Sequence, residues 1–438
     1  TIFLDAKGGR GKTYVLNAVM AAARLMEAPA LPCCFTGFAA QDYSGGSTCH
    51  HLFKIKVQND LELDPLQPLT SSTLKESERA CLLRAATLIV VDECPMAGRR
   101  ILDVIRAVLA DAAFAAIDCT RLPFCGKIVV LAGDFQQTAP VVTRADRGAS
   151  AASWASRAEW WKYDAEHLIN HKVFTQSMRA ADDPEFDDFV QRVGAGTRRG
   201  IRLPESLFGI LHDADAALQH AHPDITDGKA CGRSGVLCTT NRAVDAINQQ
   251  ALLMKVQADP QHPVHELHGI TEVKDTKDAD VNDGVEPSQD WLNMLDGKGV
   301  PPHTLRLCVG AVCMVMRNIA PGWTNGKRVV VKRITQRTVQ VCLFSLLPPV
   351  RCRCDTHTFI VPRILFDWKW SRVGMTVQRR QFPLRLAYAV TFNKSQGKTL
   401  DRAVVDLRGA PFAHGQLYVA LSRVRSRQSI RVLCDAAQ

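Results

Sequence analysis

Eight residues near the start of the chain, Ala6-Lys7-Gly8-Gly9-Arg10-Gly11-Lys12-Thr13, have the composition and spacing of a loop that wraps phosphate. Small residues let the backbone curl so that its N–H groups face the β- and γ-phosphates of a nucleotide. The N-terminus of a following helix adds a favourable dipole. Gly8, Gly9, Arg10 and Gly11 would form the cradle, Lys12 would reach the phosphates, and the Thr13 hydroxyl would bind Mg2+. Ala6 stands where glycine is usual and is the smallest replacement for it. Outside a strand–loop–helix context the same run is only a Gly-rich turn.

Two carboxylates end the apolar run Leu88-Ile89-Val90-Val91-Asp92-Glu93. The C-terminal edge of such a strand is where ligands bind in α/β sheets. There Asp92 would hold Mg2+, directly or through water, and Glu93 would orient or deprotonate an attacking water. A second apolar run, Val129-Val130-Leu131-Ala132-Gly133, leads to Asp134-Phe135-Gln136-Gln137. A neutral amide at such an edge senses a γ-phosphate without adding negative charge, which makes Gln137 a candidate. Arg179 and Arg423 are candidate fingers for the charge spread over a phosphoryl-transfer transition state. Leu386–Leu400 reads as a strand and a polar loop, in which Lys394, hydroxyls such as Thr391 and Ser395, and the turn at Gly397 suit phosphates of a nucleic acid or of ATP.

These residues need a scaffold, and the pattern supplies one. Ile2–Leu4, Leu31–Thr36, Thr87–Val91 and Lys127–Leu131 read as strands, and Val15–Met26, Leu74–Arg84 and Ile101–Ala110 as helices. Alternation of buried strands with helices implies a parallel sheet covered on both faces. The pattern resumes with the strand Gly235–Cys238, a helix over Arg242–Leu253, the strand Ala403–Leu407, a helix over Gly415–Ser422 and the strand Ile430–Leu433. Between them, Lys274–Pro302 is polar and reads as linker, and Cys308–Phe366 reads as a small β module. The expectation is two α/β domains, the second split by a β-rich insertion.

Composition sets the outer bounds. The chain has 438 residues, 46% of them hydrophobic and 22% charged, which excludes wholesale disorder, collagen and coiled coil. No apolar run is long enough to span a membrane. With 54 Lys and Arg against 44 Asp and Glu, the net charge of +10 suits a polyanionic partner as well as a solvated basic surface. The 15 cysteines read as reduced, mostly buried thiols. Cys33 and Cys34 are expected in the core. The chain opens on Thr1 without Met or a signal peptide and is expected to be a fragment or a processed piece.

Taken in order, the segments AKGGRGKT, LIVVDECPM, VVLAGDFQQTAPVV, FTQSMRAADDPEF, LCTTNRAVDAIN, RRQFPLRLAYAVTFNKSQGKTLD and HGQLYVALSRVRSR resemble the petite-integration-frequency (Pif-type) DNA helicases of superfamily one. TGFAAQDYSGGSTCHHLFKI, DECPM and GVPPHTLRL are similar to the helicase part of Helitron transposases. Ala6, Arg10, Gln136 and Ser177 depart from the usual family residues.

The resemblance implies two RecA-like P-loop domains with parallel sheets and ATP in the cleft between them. The first would span 1–174. The second would span 175–255 and 380–438, interrupted by an insertion over 256–379 that holds the polar linker and a small β-barrel. It implies ATP as substrate and Mg2+ as cofactor, with Glu93, Gln137, Arg179 and Arg423 catalytic. It also implies DNA contacts at Thr36, Thr48, His50, Thr391, Lys394 and Ser395. The activity would be 5′-to-3′ translocation on single-stranded DNA and unwinding of forked duplex, by a monomer with no membrane partner, in the nucleus or mitochondrion. The alternative is a transposon-derived fragment that binds nucleic acid without coupling ATP to unwinding. The adenine-clamping helix of the family would precede Thr1. Basic residues of the β module, Lys327, Arg328, Lys332, Arg333 and Arg337, suit phosphate contact or a solvated face. A zinc site at Cys342, Cys352, Cys354 and His357 is set aside, because C-x-C spacing on a strand fits one ion poorly.

Overall fold

The computed structural model describes residues 1–37, 39–55, 69–73, 77–113, 123–138, 154, 156, 169–196, 202–274, 287–297, 299–320, 323–343, 358–370, 375–411, 413 and 415–435. Two compact units form. One holds Thr1–Leu207, Ser395–Lys398 and Pro411–Arg427; the other holds Phe208–Lys394, Thr399–Ala410 and Gln428–Gln438.

In the first unit, six parallel strands are β1 (Ile2–Ala6), β2 (Ala30–Cys34), β3 (Ser47–Thr48), β4 (Leu88–Asp92), β5 (Ile128–Gly133) and β6 (Asn170–Phe174). Their order is β3-β2-β4-β5-β1-β6. The helices are α1 (Lys12–Leu25), α2 (Glu78–Ala85), α3 (Cys94–Ala113, broken at Gly98) and α4 (Pro184–Ala195). Period-two alternation sends side chains of one strand to opposite faces. Ile89, Val91, Val129 and Leu131 pack with Leu102, Ile105 and Leu109 of α3. Val90, Val130 and Leu4 pack on the other face with Leu16 and Met20 of α1. Burial on both faces is why β4 and β5 read as unbroken apolar runs. Cys33 and Cys34 are in this core.

The first unit reaches past the expected end at residue 174. β6 pairs with β1 as an edge strand, and α4 packs on the helix Gln416–Leu421 of the same unit. Arg427 bonds Asp183 at 2.5 Å, which fixes the Pro411–Arg427 segment to the N-terminus of α4. Arg179 and Arg423, expected in a second domain, therefore belong to the first unit.

The second unit has a five-stranded parallel sheet in the order Ala389–Thr391, Gly235–Cys238, Ala403–Asp406, Ile430–Leu433, Gly209–Leu211. The helices Ala214–Ala221 and Asn241–Ala258 accompany it. Each starts at a side-chain cap, Asp213 and Thr240 respectively.

Its inserted module has an antiparallel sheet in the order Thr358–Pro362, Thr338–Leu343, Arg328–Ile334, Val312–Val315, Leu384–Leu386. Among the described residues no pairing joins the two outer strands of this sheet. A second, three-stranded sheet is ordered Ile270–Lys274, Met375–Gln381, Ile364–Trp370. The expected linker also contains structure: Gln289–Met294 is helical because the Ser288 hydroxyl accepts from Trp291 N at 3.3 Å.

Arg328 departs from the expected phosphate contact. It is buried, and its Nη1 donates to the carbonyls of Ser234 at 2.7 Å and Gly232 at 3.1 Å. Lys332, Arg333 and Arg337 are exposed. Cys342 is half-buried, and Cys352, Cys354 and His357 lie outside the described residues. No described helix is long and apolar enough to cross a membrane.

Candidate active site

β1 delivers the chain to the phosphate loop from inside the sheet, between β5 and β6. Gly9 and Gly11 each have φ 81°, the left-handed region that favours glycine. At Gly9 a Cβ would also lie 2.6 Å from the Arg179 Cβ, so the close approach of Arg179 requires the missing side chain. Gly11 caps α1 without a side chain, which leaves the first helical N–H groups open to an anion. Lys12 donates to the carbonyls of Ala6 and, at 3.2 Å, Lys7. Burial lowers its pKa; Asp134 and Asp92 oppose that shift, and Arg179 and Arg423 add to it. Arg10 is tied to Asp187 of α4 at 3.2 Å.

β4 ends on Asp92, which is buried. Asp92 Oδ2 accepts from the Tyr43 hydroxyl at 2.6 Å, and Oδ1 accepts from Glu93 N at 2.8 Å. Glu93 has φ 57°, a strained conformation for this residue type and one that recurs at functional sites. Its Oε2 accepts from Thr36 Oγ1 at 2.9 Å. Burial and the neighbouring Asp92 push the Glu93 carboxyl up to about 7, against the Thr36 bond and the charges of Arg423 and Lys12. A carboxylate there can take a proton at neutral pH. Thr13 and Asp92 offer hard oxygen donors, and Tyr43 hydrogen-bonds Asp92. That set fits Mg2+, which uses one or two protein ligands together with substrate phosphates.

β5 brings Asp134 beside the loop. Gly8 N donates to Asp134 Oδ2 at 2.8 Å and to the Tyr418 hydroxyl at 2.9 Å. Gln137 Nε2 donates to the same Asp134 oxygen at 3.1 Å. A Cβ at Gly8 would lie 3.6 Å from Arg423 Nη2, so that guanidinium reaches the loop. Arg423 is buried and donates to the carbonyls of Val419 at 2.7 Å and Lys398 at 3.2 Å, and to Ser422 Oγ at 2.7 Å. Burial first, then Arg179, lowers its pKa to about 9. Arg179 Nη1 donates to Ser422 O at 2.7 Å, and both Met178 N and Arg179 N bond Gly9 O at 3.0 Å. Gly8, Gly9, Lys12, Glu93, Gln137, Arg179 and Arg423 are thus gathered in one unit.

The residues expected on DNA are more dispersed. Thr36 bonds Glu93. Thr48 Oγ1 accepts from His51 N at 3.2 Å and caps the helical turn Cys49–Leu52, and the His50 ring lies 6.0 Å from that of Phe35. Thr391 is half-buried at a strand end, Lys394 is exposed, and Gly397 is an exposed left-handed turn. Ser395 is a correction: it is fully buried, so its side chain is closed to a solvent-borne phosphate. The sequence reading missed Tyr43, Asp134 and Tyr418. A polar residue after a buried strand signalled Asp134; the two tyrosines carry no local signal.

A phosphate loop on an inner strand of a parallel sheet, with carboxylates at the ends of neighbouring strands, defines a RecA-like P-loop NTPase. The chain is similar to the PIF1-like helicases. The model for PIF1-like helicase matches residues 1–201, and that for the 2B domain of DNA helicase Pif1 matches residues 290–334. It is 27% identical to the human ATP-dependent DNA helicase PIF1 over 99% of this chain, and spans 58% of that relative's length. It is 24% identical to the Campylobacter jejuni Pif1 helicase, covering 98% of this chain and 88% of that one. Its fold is like that of a Bacteroides Pif1 helicase solved with ADP-AlF3 and single-stranded DNA, with TM-score 0.65, 22% identity, and coverage of 99% of this chain and 88% of that one.

Proposed function

We propose that the chain is an ATP-dependent DNA helicase that uses Mg2+, moves 5′-to-3′ on single-stranded DNA as a monomer and unwinds forked duplex. The observation that carries this is the gathering of Lys12, Asp92, Glu93, Asp134, Arg179 and Arg423 around one phosphate loop. The human and Campylobacter relatives bear the name of ATP-dependent DNA helicases, which supports the reaction and the partner.

The chemistry follows from the side chains. Loop amides and the open N-terminus of α1 bind the phosphates. Thr13 and Asp92 would hold Mg2+, which would supply positive charge against the phosphate oxygens. Glu93 receives the proton of the attacking water at its carboxylate, and Gln137 orients that water. Arg179 and Arg423 offset charge on the transferring phosphoryl group. The exposed Lys394, Lys332, Arg333 and Arg337 offer charge to a nucleic-acid backbone.

The test is ATP hydrolysis with and without single-stranded DNA, together with unwinding of duplexes carrying a 5′ or a 3′ tail. DNA-stimulated hydrolysis and opening of only the 5′-tailed substrate are expected. Tight single-strand binding without DNA-stimulated hydrolysis would instead identify a binding fragment.

A further inference from the structure

The loop that leaves β2 touches both carboxylates of the site. β2 lies in register with β4, Cys34 opposite Asp92, so the loop begins beside them. Thr36 Oγ1 accepts from Ala39 N at 3.2 Å, and its single proton goes to Glu93 Oε2 at 2.9 Å. At the far end of the loop, buried Tyr43 donates to Asp92 Oδ2 at 2.6 Å. The loop is tied to the nucleotide helix as well: Asn17 Nδ2 donates to Thr13 O at 3.0 Å and to Asp42 O at 2.9 Å, and Arg24 Nη2 donates to Ser44 O at 2.9 Å.

We propose that this loop is a positioning clasp, in which Tyr43 sets Asp92 for Mg2+ and Thr36 sets Glu93 for the attacking water. The proposal rests on the reading of the chain as an ATP hydrolase. It takes Thr36 from the DNA path to the ATP site, and it gives the buried Tyr43 a role.

Mn2+ serves as a paramagnetic probe, and its binding to the protein–ADP complex is read by electron paramagnetic resonance. Tyr43→Phe keeps the ring and removes the donor to Asp92, so Mn2+ affinity should fall about 10-fold or more, the usual cost of losing an outer-shell partner. ADP affinity in EDTA should not change. Thr36→Val should leave Mn2+ affinity intact and lower DNA-free ATP turnover about 10-fold at constant KM, with Thr36→Ser restoring most of it. Wild-type Mn2+ affinity in Tyr43→Phe, or an equal loss of ADP binding in EDTA, overturns the metal role. A Thr36→Val variant that changes only the DNA concentration needed for stimulation overturns the role at Glu93. A wild-type chain that binds Mn2+ and ADP without hydrolysing ATP counts against the helicase reading, while the Tyr43→Phe affinity still decides the metal half.

Discussion

The Tyr418 hydroxyl donates to Asp134 Oδ2 at 2.8 Å across 284 positions of sequence, and both oxygens receive the Gly8 N–H. One hydrogen-bonded triangle therefore joins the phosphate loop, the end of β5 and the helix Gln416–Leu421. Gly194 of α4 completes the arrangement, since a Cβ there would lie 2.7 Å from Tyr418 Cδ2. Tyr418→Phe keeps the ring contacts and removes the donor to a buried carboxylate. A hydrogen bond to a charged group is worth about 1.5–3 kcal/mol, and a loss of that size is expected in urea unfolding. A change under about 0.5 kcal/mol would show that the triangle contributes no stability.

Arg179 and Arg423 should act on turnover more than on binding. Fingers of this kind are worth about 10³–10⁵ in rate, so Arg179→Ala should slow DNA-stimulated hydrolysis by at least about 100-fold, with a much smaller change in nucleotide affinity. Arg423 also holds the carbonyls of Val419 and Lys398, so Arg423→Lys is the gentler probe. Lysine lacks the planar fork and should rescue poorly at either position. Single-turnover hydrolysis at saturating ATP and single-stranded DNA measures this, and near-normal rates in both variants would remove the fingers from the mechanism.

His222 makes the second unit acid-sensitive. It is buried, with Nε2 at 3.2 Å from Tyr388 O, and burial lowers its pKa to about 3. Its unfolded value is about 6.5, so the unfolded chain binds the proton more tightly. Stability from this residue is complete above that value and falls as pH drops from about 6.5 towards 3. At pH 5 the loss is on the order of 2 kcal/mol. His222→Gln should flatten the dependence of unfolding free energy on pH between about 7 and 4 relative to wild type. Identical slopes for the two proteins would contradict the assignment.

What could be read from the sequence was local. Gly9, Gly11, Lys12 and Thr13 lie in one short run, and Asp92 and Glu93 end one buried strand, so spacing alone exposed their chemistry. Tyr43 with Asp92, Thr36 with Glu93, and Tyr418 with Asp134 are pairs made by sheet order and helix packing, and no spacing encodes them. Charge misled at Arg328. It lies in a basic run, but its acceptors are carbonyls at positions 232 and 234 that only the folded chain brings to it. The first-unit boundary was misplaced for a similar reason, because β6 is a short polar edge strand whose membership shows only through its pairing with β1.

Lys12→Ala tests the central claim most directly, with hydrolysis and DNA binding measured on the same folded protein. Lys12 lies within the phosphate loop, among Asp92, Asp134, Arg179 and Arg423, whereas Lys394, Lys332 and Arg333 are in the second unit. DNA-stimulated ATP hydrolysis should be abolished, while affinity for a single-stranded oligonucleotide, read by fluorescence anisotropy at fixed salt, stays within about twofold. Retained hydrolysis, or equal loss of hydrolysis and DNA binding in a variant with wild-type circular dichroism, would contradict the account.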